Sequence, residues 1–225
     1  LTIPASVSTL QRSFAYETGI QSITVDPENP VYCSVDGVVF SKDMTTLVCV
    51  PDGYAATEYA IPDSVTVIGK DAFYCCRRLN TVIIPDSVTE IGDGAFNDCK
   101  YLNTDITIPA SVTALANSFD DYTPLHSITV DPENPVYCSV DGVMFSKDMT
   151  KLVRVPEAYR ATEFTIPGSV TEIGDKAFFA SDNLTAVNIP EGVEVIGKHA
   201  FCFCMGLVSV DIPESVTVIR DHAFN

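Results

Sequence analysis

The chain has 225 residues, of which 46% are apolar, and its 30 acidic and 13 basic residues give a net charge of −17. This acidic excess disfavours nucleic acid and anionic membrane surfaces as partners. No apolar stretch reaches the roughly 18 to 20 residues that a membrane-spanning segment requires, so the sequence predicts no membrane insertion.

The dipeptide Ile-Pro recurs from one end of the chain to the other. It stands at Ile3-Pro4, Ile61-Pro62, Ile84-Pro85, Ile108-Pro109, Ile166-Pro167, Ile189-Pro190 and Ile212-Pro213. A motif that returns at this period is typical of a solenoid, in which each coil buries its apolar side chains against the neighbouring coils. We therefore expect a stack of coils with no single core.

The first departure from Ile-Pro is the acidic segment Asp26-Pro27-Glu28-Asn29-Pro30, which returns as Asp131–Pro135. Its oxygen-bearing side chains are of the kind that bind calcium. Two prolines with Asp and Asn are also what a rigid turn requires, and the spacing is not that of a known calcium loop. We expect a turn and leave calcium as the alternative.

Two apolar runs follow this segment, Val38–Phe40 and Leu47–Val50, and Ser41–Thr45 joins them. They predict a hairpin inserted in a long repeat unit, and residues 143–155 predict a second one. The hairpins either widen their coils or form a bivalent feature of the array.

The regular unit is clearest from Ile61 onward and reads Ile-Pro-x-x-Val-x-x-Ile-Gly-x-x-Ala-Phe-x-x-Cys-x-x-Leu. In its strand, Val82 and Ile84 alternate with outward residues, and Pro85, which has no amide hydrogen, ends the strand. We expect Gly92 where a side chain would crowd the chain. Ala95-Phe96 should form a brief helical turn that places the Phe96 ring between coils.

The order of unit lengths repeats as a block of about 105 residues, and residues 22–38 and 127–143 are identical, which indicates a recent duplication. We expect a single repeat array over residues 1–225. It comprises two homologous blocks, roughly 3–107 and 108–212, and a partial terminal repeat. Since the chain starts and stops inside a repeat, we expect it to be a segment of a longer protein.

The regular motif resembles that of the BspA-like, or Treponema-type, leucine-rich repeat family, and the resemblance covers essentially the whole chain. It implies a strand-rich leucine-rich-repeat solenoid of the α/β horseshoe class. Short parallel strands would line the concave face, and brief helical or 3-10 turns the convex side. Glu17 and Tyr122 depart from the pattern at its cysteine position.

Members of this family are mostly surface or secreted proteins of gut and oral anaerobic bacteria, implicated in adhesion. The resemblance therefore implies an extracellular or cell-surface location, with signal and anchor outside this segment. It implies no catalytic residue and no cofactor.

Outward positions of the predicted strands form a row of mostly short polar groups that suits hydrogen bonding to a protein or a glycan. Such a row also serves as an ordinary solvated sheet face, and Ile83 is the large apolar group in it. The candidate interaction surface comprises Ser22, Thr24, Asp26, Thr81, Ile83, Ser127, Thr129, Asp131, Asn188, Ser209 and Asp211.

The cysteines and histidines suggest packing more than chemistry. Cys76, Cys99 and Cys204 share one repeat position, where a small apolar side chain fills the stack, although a Cys76–Cys99 disulfide is an alternative. The spacings do not suit zinc, so we expect no metal site. Cys49 matches Arg154 in the second block, which predicts an exposed position.

The three histidines, His126, His199 and His222, are dispersed and indicate no catalytic set. We therefore expect a non-catalytic adhesion module that binds a host extracellular or microbial surface protein, or a glycan. It would bind through the concave strand face or the inserted hairpins. The alternatives are a rigid spacer that presents another domain and, with less support, an enzyme.

Overall fold

The structure is a computed structural model that describes residues 1–10, 18–119 and 122–225. These residues divide into two compact units. One comprises Leu1–Leu102 and Ser111–Thr123, and the other comprises Asn103–Ala110 and Pro124–Asn225. The fold is a strand-rich solenoid of stacked coils with parallel strands, as the repeat predicts.

Twenty short strands lie in the part of the chain that the structure describes. In chain order they are β1 (Thr2–Ile3), β2 (Thr24–Val25), β3 (Tyr32–Val35), β4 (Val38–Ser41), β5 (Thr46–Cys49), β6 (Glu58–Ala60), β7 (Val67–Ile68), β8 (Thr81–Ile83), β9 (Glu90–Ile91), β10 (Ile106–Ile108), β11 (Ala114–Leu115), β12 (Ile128–Val130), β13 (Tyr137–Val140), β14 (Val143–Ser146), β15 (Lys151–Arg154), β16 (Glu163–Thr165), β17 (Glu172–Ile173), β18 (Ala186–Asn188), β19 (Val195–Ile196) and β20 (Val218–Ile219).

Each regular coil contributes two strands, and they belong to different sheets. The first strand ends at or just before Ile-Pro, or at the Val-Asp that replaces it after Val25 and Val130. These strands, called the Ile-Pro strands below, pair in parallel as β1-β2, β6-β8, β10-β12 and β16-β18. The second lies after the turn, where the sequence predicts only a return segment. These return strands also stack in parallel, with Ile68 opposite Ile91 and Ile173 opposite Ile196.

The two predicted hairpins are confirmed, and each is part of a larger element. Strands β3, β4 and β5 form an antiparallel three-stranded meander, and β13, β14 and β15 form its counterpart. The last strand of each meander runs parallel to the first return strand, so the sheet orders are β11-β9-β7-β5-β4-β3 and β13-β14-β15-β17-β19-β20. The meanders thus extend the sheets of return strands.

The expected helical turn at Ala-Phe is wrong, since the described residues contain no helix. Successive amides in this segment alternate between two directions. Ala72 donates to the carbonyl of Gly69 in its own coil, whereas Phe73 donates to Ala95 in the next coil. Because every second amide leaves the coil, and residues such as Cys75 have a φ of 61°, a continuous helix cannot form.

The core of each unit is a column of stacked side chains. The rings of Phe73 and Phe96 are parallel, with centroids 4.9 Å apart, and those of Phe178 and Phe201 are 4.7 Å apart. Gly92 lies where a side chain would meet the preceding coil, because a Cβ atom there would be 2.7 Å from the amide nitrogen of Lys70. Glycine at this position eases the close approach of the coils, although Ala116 and Arg220, at the same position of other coils, keep the equivalent bond to the preceding coil at 3.1 and 2.9 Å.

Candidate interaction surfaces

The outward face of the Ile-Pro strands follows directly from their alternation. Thr129 is exposed between buried Ile128 and Val130, and Thr24 is exposed beside buried Val25. The parallel register places Thr24 opposite Thr2 of the adjacent strand. Inward β-branched side chains therefore hold a row of short polar groups at the surface.

The predicted interaction residues lie in small groups, because within each unit the Ile-Pro strands form two separate pairs. Thr81 is opposite Glu58, and Ile83, which is 49% exposed, is opposite Ala60. In the second unit Asn188 is opposite Thr165, and Ser209 bridges to Ala186. Asp211 is exposed outside the described strands.

Ser22 and Ser127 lie against the turns of the meanders. A Cβ atom at Gly37 would be 2.6 Å from Oγ of Ser22, and one at Gly142 would be 2.6 Å from Cβ of Ser127. Ser22 is nevertheless exposed, and Ser127 is half-buried. These serines therefore help to seat the β3-β4 and β13-β14 turns.

Asp26 and Asp131 lie in turns that use their carboxylates. Oδ1 of Asp26 accepts the amide of Glu28 at 2.9 Å, and Oδ1 of Asp131 accepts that of Glu133 at 2.8 Å. This geometry is the Asx turn that Asp favours. Within the described residues, no group of three or more His, Cys, Asp or Glu side chains is placed to hold a metal ion.

Asn29 holds the acidic turn to the coil before it, a role that the sequence analysis missed. Its buried Nδ2 donates to the carbonyl of Pro4 at 3.0 Å and to that of Val7 at 2.8 Å, while Oδ1 accepts the amides of Val31 and Tyr32. Asn134 is bound in the same way to Pro109. The signal in the sequence that could have revealed this role was the asparagine that recurs between two prolines in both acidic turns.

Two polar side chains fix each meander from outside. Nζ of Lys42 donates to the carbonyl of Pro27 at 2.9 Å, which ties the β4-β5 turn to the acidic turn. Oδ1 of Asp43 accepts from Oγ of Ser41 and from the amide and hydroxyl of Thr45, and these bonds lower the pKa of the Asp43 carboxyl. Lys147 and Asp148 make the same contacts in the second unit.

A cavity of about 270 Å³ in the first unit is lined by Asp52, Cys75, Arg77 and neighbouring residues. Sγ of Cys75 donates to Oδ2 of Asp98 at 3.0 Å, and the same carboxylate oxygen accepts from Arg77. Burial, with Asp98 beside it, raises the pKa of the Cys75 thiol to about 12. The thiol is thus not an activated nucleophile at neutral pH.

The cysteines at the shared repeat position pack against the preceding coil. Sγ of Cys99 donates to the carbonyl of Phe73 at 3.1 Å, and Sγ of Cys204 donates to that of Phe178 at 2.9 Å. Within the described residues, none of the eight cysteines is joined in a disulfide. Tyr122, which replaces cysteine at this position, is 66% exposed, and Glu17 lies outside the described residues.

The predicted exposure of the Cys49 position is wrong. Arg154, its counterpart, is only 5% exposed, and its Nη1 donates to the carbonyl of Lys176 at 2.6 Å. Cys49 is half-buried, and burial together with the charge of Asp52 raises its pKa to about 12. A long guanidinium and a short thiol share the site because the guanidinium reaches a backbone acceptor in the next coil.

Two of the histidines, dispersed in the sequence, meet in the fold. The rings of His199 and His222 stack with centroids 5.2 Å apart, because they occupy equivalent positions of adjacent coils. Burial, followed by the charges of His222 and nearby lysines, lowers the pKa of His199.

In the part of the chain that the structure describes, no helix is long and apolar enough to span a membrane.

Comparison with known proteins finds a family whose sequence profile matches this chain. The sequence profile of the BspA type leucine rich repeat region matches residues 53–160 and 156–225, in six copies. A search of curated proteins finds no significant match.

Solved structures share the fold. A leucine-rich repeat protein from Eubacterium ventriosum matches 99% of this chain at 25% identity and a TM-score of 0.64. The pneumococcal vaccine antigen PcpA matches 96% at 25% identity and a TM-score of 0.68. The chain spans 57% and 51% of their respective lengths. A leucine-rich cell surface protein from Faecalibacterium prausnitzii matches 99% at 23% identity with a TM-score of 0.64, and the match covers 69% of that protein.

Proposed function

Because the chain belongs to the BspA-type leucine-rich repeat family, we propose that it is a non-catalytic protein-interaction module of a surface or secreted bacterial protein. One structural relative is itself described as a cell surface protein and another as a vaccine antigen. The partner would be a host extracellular or microbial surface protein, or a glycan.

The outward face of the Ile-Pro strands is the observation that supports this role. Its side chains, such as Thr24, Ile83 and Asn188, are exposed, while the buried residues beside them hold the fold. A rigid backbone that presents polar groups loses little conformational freedom on binding. Each homologous block, roughly 3–107 and 108–212, would contribute one part of this face.

The alternative of a rigid spacer also has an observation in its favour. Adjacent coils are joined by backbone hydrogen bonds through the Ile-Pro strands, the return strands and the turn that carries Phe73. An array joined in this way would be stiff enough to hold another domain at a fixed distance, and it would not need to bind a partner itself.

Arginine substitutions on the outward face separate the two roles. Thr24→Arg, Ile83→Arg and Asn188→Arg change exposed side chains and leave the inward residues intact. We expect wild-type protein to bind an immobilised extracellular-matrix extract, and the triple variant to lose that binding. Thr66→Arg, Thr89→Arg and Thr171→Arg, on exposed positions beside the return strands, are the matched control.

Equal binding by both triple variants would refute this face as the binding surface. Absence of binding by the wild type would favour the spacer.

A further inference from the structure

The two copies of the acidic turn and of the first hairpin turn are identical, whereas several other exposed positions differ between the two blocks. Residues 22–38 and 127–143 are identical, including their exposed positions. Elsewhere, exposed Lys70 matches Asp175, exposed Arg78 matches Asn183 and exposed Ile83 matches Asn188. Other exposed positions are shared as well, such as Thr57 with Thr162 and Thr66 with Thr171, so what the identical segments establish is that both blocks present the same surface here.

Folding accounts for part of this identity. Asn29 holds the turn to the preceding coil, Asp26 accepts an amide within the turn, and Gly37 lies against Ser22 with a φ of 82°. Asp36, with a φ of 50°, precedes it in the hairpin turn, where Asp tolerates a left-handed conformation. These residues would be retained whatever the protein binds.

Two exposed valines are not explained in this way. Val31 and Val35 are 36% and 45% exposed, and their counterparts Val136 and Val140 are 36% and 46% exposed. Cys33 and Val35 lie on one side of β3, because side chains alternate along a strand. Val31 immediately precedes β3 and extends its pairing, since its carbonyl accepts the Lys42 amide at 2.7 Å, which places it in register with them. With half-buried Cys33 between them, the valines form an apolar strip about 13 Å long.

Carboxylates stand at both ends of each strip. Glu28 precedes Val31, Asp36 follows Val35, and both acids are exposed. Within the described residues neither carboxylate is paired with a cation; Nζ of Lys42, the nearest lysine in sequence, donates to the carbonyl of Pro27. The strip with its flanking acids therefore complements an apolar segment that carries basic residues.

We propose that the strip Glu28–Val31–Val35–Asp36 and its copy Glu133–Val136–Val140–Asp141 are two equivalent docking sites for extended segments in which apolar residues alternate with lysine or arginine. Each unit carries one site, so the chain binds two such segments with the same affinity. The sites use a different surface from the outward face of the Ile-Pro strands. A binding test can therefore refute the proposal for one surface without refuting the proposal for the other.

A labelled peptide of five Lys-Leu pairs is a direct probe, because its leucines lie on one side of an extended chain. Fluorescence anisotropy and calorimetry should give two equal sites, weakened by salt since the contacts are partly ionic. A peptide of five Glu-Leu pairs should not bind. Failure of the Lys-Leu peptide to bind, or equal binding of the Glu-Leu peptide, would overturn the proposal.

Valine-to-threonine substitutions test the position of the sites. Threonine is close in shape to valine and is favoured in strands, so Val31→Thr with Val35→Thr should keep the fold. This pair should reduce the stoichiometry from two to one, and adding Val136→Thr with Val140→Thr should weaken binding at least tenfold. Ile83→Thr, which removes an exposed apolar residue elsewhere, should keep two sites.

Glu28→Gln with Asp36→Asn tests the charges, because both amides keep the shape of the acids. We expect several-fold weaker binding at the first site and a shallower salt dependence. A quadruple valine variant that binds as the wild type does, with an unchanged melting curve, would refute the sites. Wild-type stoichiometry other than two would refute their equivalence.

Discussion

The Gly197→Ala substitution tests how closely the coils approach. A Cβ atom at Gly197 would lie 2.5 Å from the carbonyl carbon of Gly174 and 2.5 Å from the amide nitrogen of Asp175. Both contacts are with backbone, and about 0.9 Å of relief would be needed to restore an ordinary contact near 3.4 Å. Ala116, at the same position of another coil, keeps its bond to the preceding coil at 3.1 Å. We therefore expect the bond from the Gly197 amide to the carbonyl of Ile173, now 2.8 Å, to lengthen without breaking.

The cost follows from the overpacking. Overpacking of a close-packed interior costs about 1–3 kcal/mol. We therefore expect Gly197→Ala to lower the free energy of unfolding by about 1–3 kcal/mol. For a chain of this size, the melting temperature should fall by roughly 2–12 °C, measured by circular dichroism.

Gly168→Ala is the matched control in the same unit. No atom lies within 4 Å of a Cβ at Gly168, and Asp63 occupies the equivalent position of the first block. Alanine there should stabilise the protein by about 0.4–1 kcal/mol, because it restricts the unfolded chain. Equal melting temperatures for the two variants, or a wild-type melting temperature for Gly197→Ala, would refute the close-approach argument.

Three further predictions concern the core, the acidic turn and the thiols. Phe96→Ala removes a buried ring stacked 4.9 and 5.2 Å from its neighbours, and urea unfolding should show a loss of about 3–5 kcal/mol, with a smaller loss for leucine. Asn29→Ala removes the acceptor of the Val31 and Tyr32 amides, so both should exchange hydrogen faster, while unchanged rates would contradict the role of Asn29. Burial raises the pKa of Cys49 from 9.0 to about 12. The stabilising contribution of its protonated thiol is therefore complete below pH 9 and is lost as the pH rises toward 12. Over that range, the free energy of unfolding should fall less steeply in Cys49→Ser than in the wild type.

Much of the fold could be predicted because its causes are local. The period of two places Val82 inward and Ile83 outward, and the glycine position marks where coils approach. The prediction of a helical turn at Ala95-Phe96 was wrong, because the sequence of a single repeat cannot show which backbone amides donate to the next coil. The Phe96 amide donates to Ser118, a residue of another repeat.

The candidate surface was predictable only in part, for the same reason. Alternation along the strand places Thr24 and Thr129 at the surface. The contact of Ser22 with Gly37 and the bonds from Asn29 to Pro4 and Val7 join segments distant in sequence. Arg154 is buried because a carbonyl of the next coil accepts from it, which the comparison with Cys49 could not reveal.

The antiparallel meanders limit how the sheets of return strands can be extended. Each sheet of return strands ends on one side at β3 or β13, since the last pairing there is antiparallel, so a sheet cannot be lengthened there by simple addition of another parallel coil. The identical segments 22–38 and 127–143 are natural sites for unequal recombination, which would insert or remove one whole block. Gain or loss of one such block would add or remove one of the proposed docking sites and leave the remaining one unchanged.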